Sequence, residues 1–161
     1  MRSDELEAEI YQAFDARNAS ATEFSARDVS LEPLLGNPRA WQEISPAFVD
    51  PINARELTLQ ALLYLLPVYM LAVLRYDWVA PVLLLDELYT HGLPSGNSDT
   101  AWWEHFRRWN QCVGRLTYDQ RRVVKLWLEE VRDSERLCGG RDINEMLYNY
   151  WLHSYWPEGT D

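Results

Sequence analysis

Three histidines and two cysteines are the side chains in this sequence best suited to nucleophilic, acid–base or metal chemistry. His91, His105 and His153 lie far apart, as do Cys112 and Cys138. A zinc ribbon or finger needs short, repeated spacings between such ligands, and the sequence offers none. The more economical interpretation of each histidine is a structural one. The sequence therefore predicts no metal site and no cofactor.

Sequence motifs for catalysis are also missing. The sequence contains neither a glycine-rich phosphate loop, nor a GxSxG nucleophile elbow, nor a dinucleotide fingerprint. The adjacent acids Asp86 and Glu87 point about 100° apart on a helix, so they do not form an acid–base pair by themselves. No catalytic residue is therefore predicted. A small helical enzyme with its site near Pro67 and His105 stays an alternative, because interrupted helices often line pockets.

Charge is unevenly divided along the chain. Residues 1–104 hold 16 acidic and 6 basic side chains, whereas residues 105–161 hold 9 of each, so the net charge of −10 belongs to the first part. Such a field repels nucleic acid and attracts basic proteins. The sequence therefore favours a protein partner with a basic surface and disfavours DNA and RNA, although solubility alone would also explain the excess of acid.

Aromatic residues are the second unusual feature, with eight tryptophans in 161 residues. Trp109 and Trp127 fall on apolar helix stripes and are expected in the core. Others are harder to bury, and exposed aromatic residues often anchor protein interfaces. Combining the acidic stretch with these aromatics, we predict that the partner-binding residues are Asp86, Glu87, Asp99, Glu104, Trp103 and Trp151.

The N-terminal part of the chain predicts one helix and then an irregular connection. Asp4 could cap a helix whose apolar stripe runs through Leu6, Ile10, Ala13 and Phe14 and which ends near residues 17–18. Residues 19–51 are rich in turn formers and are expected to form either one or two short helices or a functional loop. Trp41 is its expected packing anchor.

The apolar stretch at residues 57–74 is the centre of the predicted fold. Thr58 and Gln60 interrupt its start and Pro67 lies at its middle, which favours a core element over a membrane span. The proline predicts a kinked or broken pair of helices, apolar on nearly all sides and surrounded by other helices.

The second half of the chain predicts more helices and a loop at residues 91–98. One helix would carry Trp102, Phe106 and Trp109, and a capping box at Thr117–Gln120 would open the next. That helix is expected to bury Val123, Val124, Trp127, Leu128 and Val131. The sequence as a whole predicts a single all-α domain over residues 1–161, with about six or seven helices around the Pro-broken central one. The absence of a signal segment and of a disulfide framework predicts a cytoplasmic location, with no membrane attachment.

Two of these segments, together with Trp41 in its polar connection, carry a resemblance. The stretch LLYLLPVYMLAVLR at 62–75 and the stretch FRRWNQCVGRLTYDQRRVVKLWLEEV at 106–131 resemble a group of small bacterial helical proteins of unknown function. Their shared features are a Leu-Pro-x-Tyr apolar helix and a Leu-Thr-x-x-Gln cap. The resemblance implies an all-α fold and transfers no catalytic residue. In size, charge and composition the chain is also similar to bacterial toxin-immunity proteins.

The sequence therefore favours a non-enzymatic protein-binding module, of the kind that an acidic immunity or inhibitor protein represents. The enzyme near Pro67 and His105 is the alternative from another class. A scaffold or subunit of a homo-oligomer, in which the acidic face only contacts solvent, is the third interpretation.

Overall fold

The computed structural model describes residues 3–14, 25–26, 29–30, 40–49, 57–76, 111 and 114–133. Three α-helices dominate this part: α1 (Ser3–Ala13), α2 (Leu59–Arg75) and α3 (Tyr118–Asp133). Two 3-10 helices, Trp41–Glu43 and Pro46–Phe48, precede α2. Strands β1 (Ser25–Ala26) and β2 (Val29–Ser30) form one short antiparallel pair. The described part is thus mainly helical, as the sequence predicts, and the total of six or seven helices stays a prediction.

Helix α1 presents the predicted apolar stripe to the core. Leu6 and Ile10 are completely buried, Phe14 nearly so, and Ala13 packs against them. Two details of the prediction are wrong. Asp4 lies within the helix rather than at its cap, and α1 ends at Ala13 instead of near residues 17–18. An acid within the first turn still interacts favourably with the positive end of the helix dipole.

Trp41 is the packing anchor of the segment before α2, as the sequence predicts. Its indole is 3% exposed, and its Nε1–H donates a hydrogen bond of 2.9 Å to the carbonyl oxygen of Phe14. The ring of Tyr11 stacks on it with 5.2 Å between centroids. Because a buried indole N–H needs an acceptor, this hydrogen bond fixes the first 3-10 helix against the end of α1.

Helix α2 is continuous across Pro67. Of the two predicted forms, the broken pair of helices is therefore wrong, and the kink stays a prediction. Thr58 caps its start, with its hydroxyl oxygen accepting from the amide of Ala61 at 3.2 Å. A proline removes one helical hydrogen bond but leaves those on either side intact. The apolar packing around residues 65–74, all of them buried, holds the helix together through this defect.

Helix α3 begins with the predicted capping box. The amide of Thr117 donates to Gln120 Oε1 at 3.0 Å, and the amide of Gln120 donates to Thr117 Oγ1 at 3.3 Å. All five of the predicted apolar positions of α3 are buried: Val123, Val124, Trp127, Leu128 and Val131. The Trp127 Nε1–H donates to the carbonyl oxygen of Met70 at 3.1 Å, which places α3 directly against the second half of α2.

Among the described residues, two ion pairs join α1 to α2 and α3. Arg75 contacts both carboxylate oxygens of Glu7, with the shortest distance of 2.7 Å from Nη2 to Oε2, and also reaches the hydroxyl of Tyr11. Arg122 pairs with Glu9. The hydrogen bond to Glu7 raises the pKa of the Arg75 guanidinium above its ordinary value, while partial burial opposes this. Both ion pairs are partly exposed, so they contribute little to the free energy of unfolding and mainly fix the orientation of α1.

The length and apolarity of the helices also bear on membranes. Within the described ranges, no helix is both long enough and apolar enough to cross a bilayer. The predicted loop at 91–98 and the helix with Trp102 and Trp109 lie outside the described residues.

Candidate functional site: a pocket beside the first half of α2

The residues predicted from the sequence to bind a partner all lie outside the described residues, as does His105 of the alternative catalytic site. They stay predictions: Asp86, Glu87, Asp99, Glu104, Trp103 and Trp151. The described residues instead form a pocket of about 430 Å³ between the end of α1, the first 3-10 helix, the first half of α2 and the turn before α3. Its lining residues are Ala13, Phe14, Trp41, Gln60, Leu63, Tyr64, Pro67, Arg115, Leu116, Thr117 and Gln120.

The aromatic wall of the pocket is held by the contacts of Trp41. Its indole N–H is bound to the carbonyl of Phe14, and its ring stacks on Tyr11, so the ring has little rotational freedom. Phe14 and Trp41 are buried and line the pocket together with the half-buried Tyr64. A rigid set of aromatic faces can take up a flat apolar group at low entropic cost.

The wall supplied by α2 consists of Gln60, Leu63, Tyr64 and Pro67, residues three or four apart on one helix face. Because residue 67 has no amide N–H, it cannot donate to the carbonyl of Leu63 in the usual helical manner. The proline within this apolar helix is the one feature of the sequence that indicates a pocket at this place. Gln60 is exposed at its rim and can both donate and accept hydrogen bonds.

The opposite wall is polar and rich in hydrogen-bond donors. The capping box uses the amide oxygen of Gln120 and the lone pairs of the Thr117 hydroxyl. This leaves the Gln120 amide NH₂ and the Thr117 hydroxyl hydrogen as donors. Arg115, which is exposed in the preceding turn, adds a guanidinium with five N–H groups. Sequence reasoning gave Arg115 and Gln60 no role, because neither belongs to a motif.

The charges around the pocket decide what chemistry it could do. Among its described lining residues Arg115 is the one permanently charged side chain, and there is no carboxylate, histidine, lysine or cysteine. General acid–base catalysis needs a group with a pKa near the working pH, which these lining residues do not supply. The arrangement is suited to binding a ligand by aromatic contact and by hydrogen-bond donation.

The resolved pKa shifts lie elsewhere in the described structure. Burial raises the pKa of the Tyr69 phenol well above its ordinary value, and Tyr69 lies beyond Pro67 in the enclosed half of α2. Tyr69 and Arg75 do not line the pocket. Within the described ranges, no three His, Cys, Asp or Glu side chains are grouped so that they could hold a metal ion.

Comparisons with protein-family models, with curated proteins and with solved structures find no match to this chain.

Proposed function

We propose that this protein is a non-enzymatic protein-binding module that covers a basic surface of a partner, in the manner of an immunity or inhibitor protein. The observation that carries the proposal is the excess of acid: residues 1–104 hold 16 acidic and 6 basic side chains. A field of this sign speeds encounter with a basic protein and opposes binding to nucleic acid.

The described surface supports this proposal in two ways. Asp4 of α1 is exposed, whereas Glu7 and Glu9 are used in ion pairs within the fold. Large aromatic residues are also exposed: Phe48 is 49% exposed and Tyr118 is 60% exposed. Exposed aromatic side chains are typical anchors of protein interfaces. An acidic side chain lies near each of the two in sequence and would supply charge complementary to a basic partner.

The experiment is a quantitative pull-down from a lysate of the source organism with the tagged chain, at low and at high salt. We expect a basic protein to be captured at low salt and lost at high salt, because exposed charges are screened. In one variant the predicted binding acids are neutralised, and in the matched control the same number of charges is removed from α3. The binding variant carries D86N, E87Q, D99N and E104Q; the control carries D119N, E129Q, E130Q and D133N.

The two variants separate a specific acidic surface from a general charge effect. Loss of the partner with the first variant and retention with the second would support the assigned surface. Equal loss with both would assign the interaction to net charge alone and contradict a specific surface. Capture of no specific partner at either salt concentration would overturn the proposal.

A small helical enzyme is the second candidate, and the observation that favours it is that Pro67 lines the pocket. In this interpretation His105 would supply the acid–base group that the described lining residues lack. An activity screen against hydrolase and transferase substrates, run in parallel on the wild type and on His105→Asn, tests it. Activity abolished by the substitution would support the enzyme, and activity that is absent or unchanged would contradict it.

Self-association is the third candidate, in which the chain is a scaffold or a subunit of a homo-oligomer. Multi-angle light scattering across a range of concentrations measures the mass directly. A mass of 18.9 kDa throughout would contradict it.

A further inference from the structure

We propose that the pocket between Trp41, α2 and the turn before α3 binds a small organic carboxylate that carries an aromatic ring. This goes beyond the proposed function, because it concerns a small-molecule site and does not depend on the acidic surface.

The size and walls of the pocket favour an aromatic ligand. Its volume of about 430 Å³ lies in the range of small-molecule sites, roughly 300–1,000 Å³. Three aromatic residues, Phe14, Trp41 and Tyr64, line it, and Leu63 and Leu116 add aliphatic surface. A flat ring can stack against such a wall in an offset or edge-to-face geometry.

The polar side of the pocket favours a carboxylate over a neutral or cationic group. The Gln120 amide NH₂, the Thr117 hydroxyl hydrogen and the Arg115 guanidinium are all donors. A carboxylate is an acceptor only and can pair with a guanidinium through two hydrogen bonds. A cationic ligand would meet Arg115 with no carboxylate among the described lining residues to balance it.

The negative charge of the whole chain opposes this binding only weakly. Charges farther away than about 10 Å are largely screened at ordinary ionic strength. The nearest charge therefore decides the preference, and among the described residues that line the pocket this charge is Arg115.

The probes are 1-naphthaleneacetate and its neutral amide, 1-naphthaleneacetamide, which share a ring system and differ in charge. Each is titrated into ¹⁵N-labelled full-length protein, and the indole N–H signal of Trp41 is followed after assignment with Trp41→Phe. We expect the acid to shift this signal in a saturable manner and to bind about tenfold more tightly than the amide, as expected for a charged hydrogen bond.

Matched substitutions locate the charge that the ligand contacts. Arg115 is exposed, so Arg115→Gln should leave the fold intact. This substitution should weaken binding of the acid about tenfold without changing binding of the amide. Lys125→Gln also removes one positive charge, from a residue of α3 that does not line the pocket, and should change neither.

Three outcomes would overturn the inference: no saturable shift with either probe, equal affinity for acid and amide, or equal effects of the two substitutions. The partner proposal is tested separately, because Arg115→Gln should still capture the same protein from lysate. Loss of naphthaleneacetate binding and loss of the protein partner can therefore be told apart.

Discussion

The two halves of α2 have different surroundings, although both are strongly apolar in sequence. Residues 65–74 are all buried, and Trp127 of α3 donates a hydrogen bond to the carbonyl of Met70. In residues 59–64 only Ala61 and Leu62 are buried, and Gln60, Leu63 and Tyr64 line the pocket with Pro67. One helix thus serves as the core at one end and as the wall of a candidate site at the other. The enclosed half should control stability, and the open half should tolerate change.

Two tryptophans offer the most direct test of this difference. Trp127 and Trp41 both donate an indole N–H to a backbone carbonyl, but Trp127 lies against the enclosed half of α2 and Trp41 beside the pocket. We expect Trp127→Ala to lower the free energy of unfolding by about 3–5 kcal/mol, and Trp41→Ala to cost no more than the lower end of that range, about 3 kcal/mol.

The reason for the smaller effect at Trp41 is that this buried residue borders the pocket, so its removal enlarges a space that already exists, whereas Trp127 is completely enclosed by packed atoms. Urea unfolding followed by far-UV circular dichroism measures both losses. A larger loss for Trp41→Ala than for Trp127→Ala would contradict the division of α2 into an enclosed and an open half.

Tyr69 gives a pH-dependent test of the enclosed half. Burial raises the pKa of its phenol above the ordinary value of 10.0, so above pH 10 the unfolded chain releases this proton while the folded chain keeps it. The folded state then binds more protons than the unfolded state, and stability falls as pH rises. We expect a loss of about 1.4 kcal/mol for each pH unit above 10 from this group.

The matched control is Tyr69→Phe, which cannot titrate. The free energy of unfolding of the wild type minus that of this variant should be constant from pH 7 to pH 9. It should fall from pH 10 to pH 11, because only the wild type loses stability through this group. A difference that does not change with pH would show that the Tyr69 phenol titrates normally and is open to solvent.

Local sequence patterns were sufficient to predict much of the described fold. The stripe of Leu6, Ile10 and Phe14 and the capping box at Thr117–Gln120 depend on contacts within one or two helical turns, and both are confirmed. The anchoring role of Trp41 is also confirmed, because a large apolar ring in a polar segment has few favourable positions other than the core.

Features that depend on distant residues could not be predicted in this way. The pocket combines residues from four separate stretches of the chain, and the pair of Arg75 with Glu7 joins positions 68 apart. The broken form predicted for α2 at Pro67 is wrong because tertiary packing outweighs the local effect of the proline. Neighbouring helices enclose residues 65–74, and this burial outweighs the loss of one backbone hydrogen bond.

Pro67 lies at the boundary between the open and the enclosed half of α2, and we expect it to lower the stability of the helix. Replacing it with alanine restores an N–H that can donate to Leu63 and removes an intrinsic helix penalty of about 3 kcal/mol, but it also removes buried ring atoms. We expect Pro67→Ala to stabilise the protein by about 1 kcal/mol, measured by urea unfolding. A clear destabilisation would show that the packing of the proline ring contributes more to the free energy of unfolding than the missing helical hydrogen bond costs. Pro67→Gly lacks the side chain that favours a helix and should not give the same gain.

The smallest expected effect concerns the polar wall of the pocket. Thr117→Ala removes the hydroxyl that accepts from the amide of Gln120, and loss of an N-cap costs about 1 kcal/mol. Thr117→Ser keeps the hydroxyl and should leave the free energy of unfolding nearly unchanged, because serine is at least as good an N-cap as threonine. Because the capping box lies beside the pocket, its loss should loosen the first turn of α3 and leave the packing of Trp127 unchanged. Amide hydrogen exchange can separate these effects: protection should fall at residues 120 and 121, whose amides donate to Thr117, and should persist at residues 127–131. Equal loss of protection along the whole of α3 would show that the capping box and the enclosed half of α2 form one cooperative unit, and that the open and enclosed sides are not independent.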